Sequence, residues 1–246
     1  MVLLLLVGIG QHAWAKPGSV IEESGTHYSG ATYREMVRDL RVKALGGYIN
    51  VRRHWRQGRW WFNPQWSNLK FFYKDNNVID TLPSVITRYD LDYQRANGTS
   101  NVYHYRDKLT ITRTDTGWRW ADRKGNWIEY DADGVTQAYG DKNNNRVSFR
   151  RNLAGQIEGV LDTNSRELVT FTLNELGDPT QVVDYSGRQV TYHWDDTSGD
   201  LTSVTDVRGQ SWQYTYQRFN NSLLTERKTL ASRTDPLGRT VQFIHE

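Results

Sequence analysis

The chain contains no cysteine. That excludes a disulfide framework, a thiolate metal site and a lipid-modified cysteine, and it does not conflict with export. Long apolar runs are also missing beyond the first ten residues, and a membrane-crossing helix needs about 20. Charge of one sign is lacking too: 31 basic and 28 acidic side chains leave a net charge of +3 over 246 residues, which names no partner. The common signatures of chemistry are absent. There is no Gly-x-Ser-x-Gly elbow, phosphate loop or dinucleotide fingerprint. The six histidines (His12, His27, His54, His104, His193 and His245) have no metal-ligand spacing such as His-Glu-x-x-His and read as surface or strand-face residues. No metal site, no cofactor site and no enzyme activity are expected from these residues.

The second half of the chain instead carries a repeat. Six copies of Asp-x-x-(small or turn residue) begin at Asp122, Asp141, Asp162, Asp184, Asp206 and Asp235, spaced 19, 21, 22, 22 and 29 apart. Gly closes the copies at Gly125, Gly187, Gly209 and Gly238, Asn144 and Ser165 the other two. A period near 20 marks a repeat architecture. Within a copy, Arg188-Gln-Val190-Thr-Tyr192-His-Trp194 alternates apolar and polar residues, as a strand does. A polar break with Gly199 follows, and Leu201-Thr-Ser-Val204-Thr alternates again. Each copy therefore predicts strand, turn, strand, turn: one β-hairpin. An aromatic residue recurs at Tyr130, Phe149, Phe171, Tyr192, Tyr214 and Phe243, with Val147, Val169, Val190, Trp212 and Val241 two positions before the last five. Mid-repeat glycines stand at Gly134, Gly155, Gly177 and Gly199, and the longer stretch from Gln217 to Ser232 predicts an inserted loop or a decayed copy. One hairpin cannot bury its own apolar face, so neighbouring copies must stack.

Carboxylates that recur at every turn have a backbone reason, since Asp bonds its own chain two residues on. They are not the single pair a glycosidase needs. Asp141-Lys-Asn143-Asn-Asn145 imitates the start of a calcium loop, but Arg146 stands where Gly is required and Asn152 where Glu is required, which makes it a polar turn. Asp235-Pro236-Leu-Gly238 reads as a rigid turn set by proline.

The repeat resembles the YD repeat of the rearrangement-hotspot (Rhs) family. The residues that carry the likeness are Tyr130-Asp-Ala-Asp-Gly134, Leu201-Thr-Ser-Val-Thr-Asp206-Val-Arg-Gly209 and Thr234-Asp-Pro-Leu-Gly-Arg239-Thr. The family's Gly-Arg after the turn is present at Gly187-Arg188 and Gly238-Arg239 and missing after Asn144 and Ser165. The resemblance implies hairpin sheets that spiral into a hollow shell around a C-terminal toxic domain, with a structural role for the shell. Family shells take many more copies than this chain holds, which points to the N-terminal part of a shell, a split gene product or a short stand-alone relative.

Ahead of the repeats, residues 34–74 hold ten Lys or Arg against Glu35 and Asp39, interleaved with Trp55, Trp60, Trp61, Trp66, Phe62, Phe71, Phe72 and Tyr73. Leu40 to Trp55 and Gly58-Arg59-Trp60-Trp61-Phe62-Asn63 resemble the cap segment before the family's repeats. A cap has a physical reason, because an end of the stack exposes a sheet edge that pairs with other chains unless covered. Plain strand alternation, aromatics inward and arginines in water, explains the spacing unaided. The alternative is a ligand surface in which Trp55, Trp60, Trp61 and Trp66 bind carbohydrate on a cell surface; no specific nucleic acid is expected.

The expected organisation is thus a signal peptide over 1–15, a linker over 16–34, an Rhs-type β cap over 35–120 and about five YD repeats over 121–246. The signal rests on a short apolar core ending in Ala13-Trp-Ala15, with cleavage after Ala15 and export to the outside or the cell surface. The fold class is all-β, a cap of short strands followed by stacked hairpins in a curved sheet. Its expected partners are a C-terminal toxin domain or downstream shell repeats, with self-association through the bare edge near Val241–Phe243.

Overall fold

The computed structural model describes residues 34–45, 47–73, 82–97, 100–106, 108–220 and 226–243. The expected signal peptide and all but the last residue of the linker lie outside them. Among the described residues the chain is built of β-strands in two sheets, with one short 3-10 turn at Pro64–Trp66.

The first sheet is a three-stranded antiparallel meander: β1 (Glu35–Ala44), β2 (Gly47–Arg56) and β3 (Arg59–Phe62). The second holds seventeen strands that pair antiparallel in chain order. It starts with β4 (Leu69–Phe72), β5 (Val85–Arg88), β6 (Leu91–Arg95), β7 (Val102–Tyr105), β8 (Leu109–Arg113) and β9 (Gly117–Asp122). It continues through β10 (Trp127–Asp131), β11 (Thr136–Gly140), β12 (Arg146–Arg151), β13 (Ile157–Leu161), β14 (Glu167–Leu173) and β15 (Pro179–Asp184). It ends with β16 (Gln189–Trp194), β17 (Leu201–Thr205), β18 (Ser211–Asn220), β19 (Glu226–Thr234) and β20 (Thr240–Gln242). The pairing of β9 with β10 carries the sheet without a break across residue 120.

The sheet curves but does not close. Its first strand folds back on its middle. The Leu69 amide donates to the Gly134 carbonyl at 2.8 Å, and the Thr136 amide to Asn68 Oδ1 at 3.0 Å. This ties β4 to the turn after β10, and β4–β10 wrap around a core of Ile86, Tyr93, Tyr103, Ile111, Trp118, Trp120 and Ile128, all buried. Trp118 packs tilted against Phe71 and edge-to-face with Tyr103, with ring centroids 5.1 and 5.8 Å apart, and Trp120 Nε1 donates to the Tyr93 hydroxyl at 2.8 Å. Each buried ring thus finds an edge, a face or an acceptor, as large aromatics require.

The repeat turns are wired identically. In each, the residue at the first position sends its amide to the carbonyl four residues on, and its own carbonyl accepts from the amide three residues on. Its side-chain oxygen takes the amides two and four residues ahead. At Asp184 these are Ser186 at 2.9 Å and Arg188 at 3.1 Å. This is the three-residue hairpin loop with a left-handed residue in third place. The left-handed residue is Gly125, Gly187, Gly209 or Gly238 in four copies, Asn144 at φ 61 and Ser165 at φ 60 in the others. The mid-repeat glycines Gly134, Gly155 and Gly177 close the same loop, headed by Asp131, Asn152 and Asn174. The loop of the fourth mid-repeat glycine, Gly199, runs from Asp195 to Asp200 and is a residue longer. The two families of turn therefore alternate between opposite ends of the sheet, about ten residues apart. Asp141, expected to be a polar turn, is wired as the others are. So is Asp235-Pro236-Leu-Gly238.

The 29-residue interval before Asp235, expected to hold an inserted loop or a decayed copy, holds a lengthened pair of strands. β18 and β19 have 10 and 9 residues, and they pair from Gln213↔Thr234 out to Asn220↔Glu226. The additional residues lengthen one hairpin.

Candidate functional site

The repeat aromatics are the inner face of the sheet, and every one of the first five meets a residue from the first half of the chain. Tyr130 accepts from Arg88 Nε at 2.7 Å. Phe149 and Phe171 pack on Trp66, with centroids 5.1 and 6.2 Å away. Tyr192 packs on Phe62 at 5.1 Å and Tyr214 on Trp60 at 5.2 Å. The meander β1–β3 and the turn at Pro64–Trp66 thus form a plug on the concave face of the repeats. The sequence predicted strands that cover a sheet edge. The structure places them across a face instead, because a face offers the apolar stripe that Leu40, Val42, Ile49 and Val51 need for burial.

A buried polar knot fixes the plug's register. Arg53 has 1% of its side chain exposed and Asp39 has 3%. Arg53 Nε donates to both Asp39 oxygens at 3.0 and 2.9 Å, and its Nη2 donates to the Tyr214 hydroxyl at 2.8 Å. Tyr192 donates to Asp39 Oδ2 at 3.0 Å. Burial lifts the Asp39 carboxyl above the ordinary carboxylate range, although Arg53 pulls it down. Burial and the neighbouring Asp39 charge together hold the Tyr192 hydroxyl well above its usual value, so it stays a donor. The guanidinium also lies over the rings of Trp60 and Tyr214, 4.7 and 5.0 Å from their centroids, which suits a desolvated cation. The sequence placed the arginines of this segment in water. Arg53 is the exception, because it alternates in phase with Val51 and Trp55 on β2.

At the far end of β2, His54 Nδ1 lies 3.3 Å from the Tyr89 hydroxyl, and Arg56 bonds Asp90 at 2.6 Å. Tyr89 and Asp90 form the tight turn between β5 and β6, so this cluster clamps the plug to the first part of the sheet. Burial, then the Arg52 charge, pushes the His54 imidazole down to about 4, with Arg56 adding to the effect and Asp90 opposing it.

The tryptophans singled out as a ligand surface sit inside this packing. Trp55, Trp60 and Trp66 are 3, 7 and 5% exposed. Trp55 packs against Trp60 and Tyr216, and Trp60 Nε1 donates to the Tyr216 hydroxyl at 2.9 Å. Trp61 alone is half-buried, under the Arg59 guanidinium at 3.5 Å. The structure therefore does not gather the four rings into an open platform. Asp122, Asp141, Asp162, Asp184, Asp206 and Asp235 line one end of the sheet, each occupied by its own turn. Among the described residues no three His, Asp or Glu side chains cluster as metal ligands would. The sequence reading missed Asp39, Arg53 and Arg88. The only signal for Arg53 was its phase with Val51 and Trp55, and nothing marked which tyrosines it would reach.

Residues 196–230 match the family model described as the RHS Repeat. They span β17, β18 and the first half of β19. No curated protein sequence matches the chain.

Proposed function

We propose that this RHS-repeat protein is a structural shell segment, the opening section of a wall that encloses or presents an effector polypeptide following it in the chain. One observation carries the reading: hairpin repeats form a continuous curved sheet whose concave face at β16–β18 is filled by the plug β1–β3. A wall that grows by adding hairpins at β20 needs its inner face filled in this way, since an unfilled inner face would expose aromatic side chains. The role involves no catalysis. Export, expected from the apolar core and Ala13-Trp-Ala15, belongs to the same proposal.

The test is electron microscopy and limited proteolysis of the polypeptide expressed from its native locus. A hollow particle with protease-protected sequence inside supports the shell. A native product without an enclosed segment, and with all its surfaces open to protease, overturns it.

A further inference from the structure

A cavity of about 270 Å³ lies between the segment Asn63–Asn68, where the chain leaves the plug, and strands β13–β15. Its walls are apolar: Phe62, Pro64, Phe171, Ile157, Leu173 and Pro179. Arg151 is the only charged side chain in the lining.

The polar groups there share one property. Asn63 Oδ1 accepts the Arg52 amide at 2.9 Å, and Asn68 Oδ1 accepts the Thr136 amide at 3.0 Å. A main-chain N–H can only donate, so the amide oxygen must face it and the NH₂ end must face away. At Asn152, Oδ1 accepts two main-chain amides, at Ala154 and Gln156. Its Nδ2 is then a donor, and it points at Gln156 Oε1 at 2.8 Å. The Gln156 NH₂ is left over by the same logic, packed against Gly177. Arg151 bonds only carbonyls, Gly155 O at 2.7 Å and Thr136 O at 2.6 Å, with no carboxylate on it. Burial lowers its pKa, and Asp131 opposes this only through its charge. Two further polar atoms of the lining, Trp66 Nε1 and Ser67 Oγ, are sealed from solvent. The reachable side-chain polar groups are therefore three amide NH₂ ends and one guanidinium, all donors, set in an apolar wall.

We infer that this cavity binds a carboxylate carried on an apolar or aromatic body, of the size of a single hydrophobic residue with a free C-terminal carboxyl group. Donor side chains around one cation that no carboxylate hydrogen-bonds select an anion, and the planar fork of arginine suits a carboxylate. The rings and Ile157 select the body. An uncharged or a polyhydroxylated ligand would leave either the cation or the apolar wall unmatched. The inference does not depend on the shell reading.

The test is a ligand-observed NMR titration of the whole chain with N-acetyl-phenylalanine, its amide and glucuronate. The acid should bind saturably, at roughly millimolar strength, and the amide at least about tenfold more weakly. Glucuronate, a carboxylate on a hydroxylated ring, should bind more weakly than the apolar acid. Gln156→Glu keeps the oxygen that accepts from Asn152 and replaces the donor end with a carboxylate oxygen. It should abolish binding of the acid while leaving the melting temperature unchanged. Arg151→Gln should weaken the acid and spare the amide. Equal binding of acid and amide, preference for glucuronate, no saturable binding of the acid, or a Gln156→Glu variant that still binds it would each overturn the inference.

Discussion

Ser165 and Asn144 hold a left-handed backbone that glycine holds in the equivalent turns. An L residue is strained there by about 1–2 kcal/mol, partly offset by the freedom glycine adds to the unfolded chain. Ser165→Gly should therefore raise stability by up to about 1 kcal/mol in urea denaturation. Gly187→Ala should lower it by about 1–2 kcal/mol, from backbone strain alone, because a Cβ built there meets nothing within 4 Å. An unchanged midpoint for Gly187→Ala would refute the conformational reading of the turns. Acid should act at this scale too. His54 has a folded pKa of about 4, below its ordinary 6.5. Its contribution is complete above pH 6.5 and is lost as pH falls toward 4. The turn carboxylates of Asp141, Asp162, Asp184 and Asp235 are held below their usual range, with hydrogen bonds from their own turns outweighing burial. Their stabilisation is lost only below about pH 4, as they protonate. The melting temperature should thus fall in two stages on acidification, and His54→Gln should flatten the upper one. An unaltered upper stage in that variant would assign it to other groups.

At the scale of elements, the buried Asp39–Arg53 pair lies within the plug and reaches the repeats through Tyr192 and Tyr214. Removing one partner strands a buried charge, so Asp39→Ala should cost about 3–5 kcal/mol. Replacing both, as Asp39→Leu with Arg53→Met, should restore most of that loss, because an apolar pair of similar size needs no desolvation of charge. Chemical denaturation of the single and double variants checks the contrast. A double variant as unstable as the single would mean that the tyrosine hydroxyls of Tyr192 and Tyr214, rather than the charges, dominate the join. Hairpins were the most readable elements, since alternation at period two and turn residues at a fixed interval both act locally. The lengthened β18–β19 pair was misread for the same reason: a longer strand and an insertion give the same gap between turns, and only the register separates them.

At the scale of the molecule, the sheet ends in β20, whose three residues are exposed. Its central residue, Val241, is 46% exposed. Light scattering of the isolated chain should show a mass that rises with concentration, and Val241→Lys should suppress the rise, since a charge on an edge strand opposes pairing. A monomer at high concentration in the unmodified chain would exclude the edge as an assembly surface. Such pairing would use the same surface on which the proposed wall would extend.

The sequence by itself determined the β-class, the hairpin repeat and the chemistry of each turn, because Asp, Asn and Gly act on backbone within five residues of themselves. It also marked the inward aromatics Tyr130, Phe149, Phe171, Tyr192 and Tyr214 by their recurrence. Only the tertiary structure decided what those aromatics face. Arg53 meets Tyr214 across 161 residues and Tyr192 meets Asp39 across 153. No local pattern encodes such pairs, since their partners are chosen by the curvature of the whole sheet and by the burial that curvature makes available.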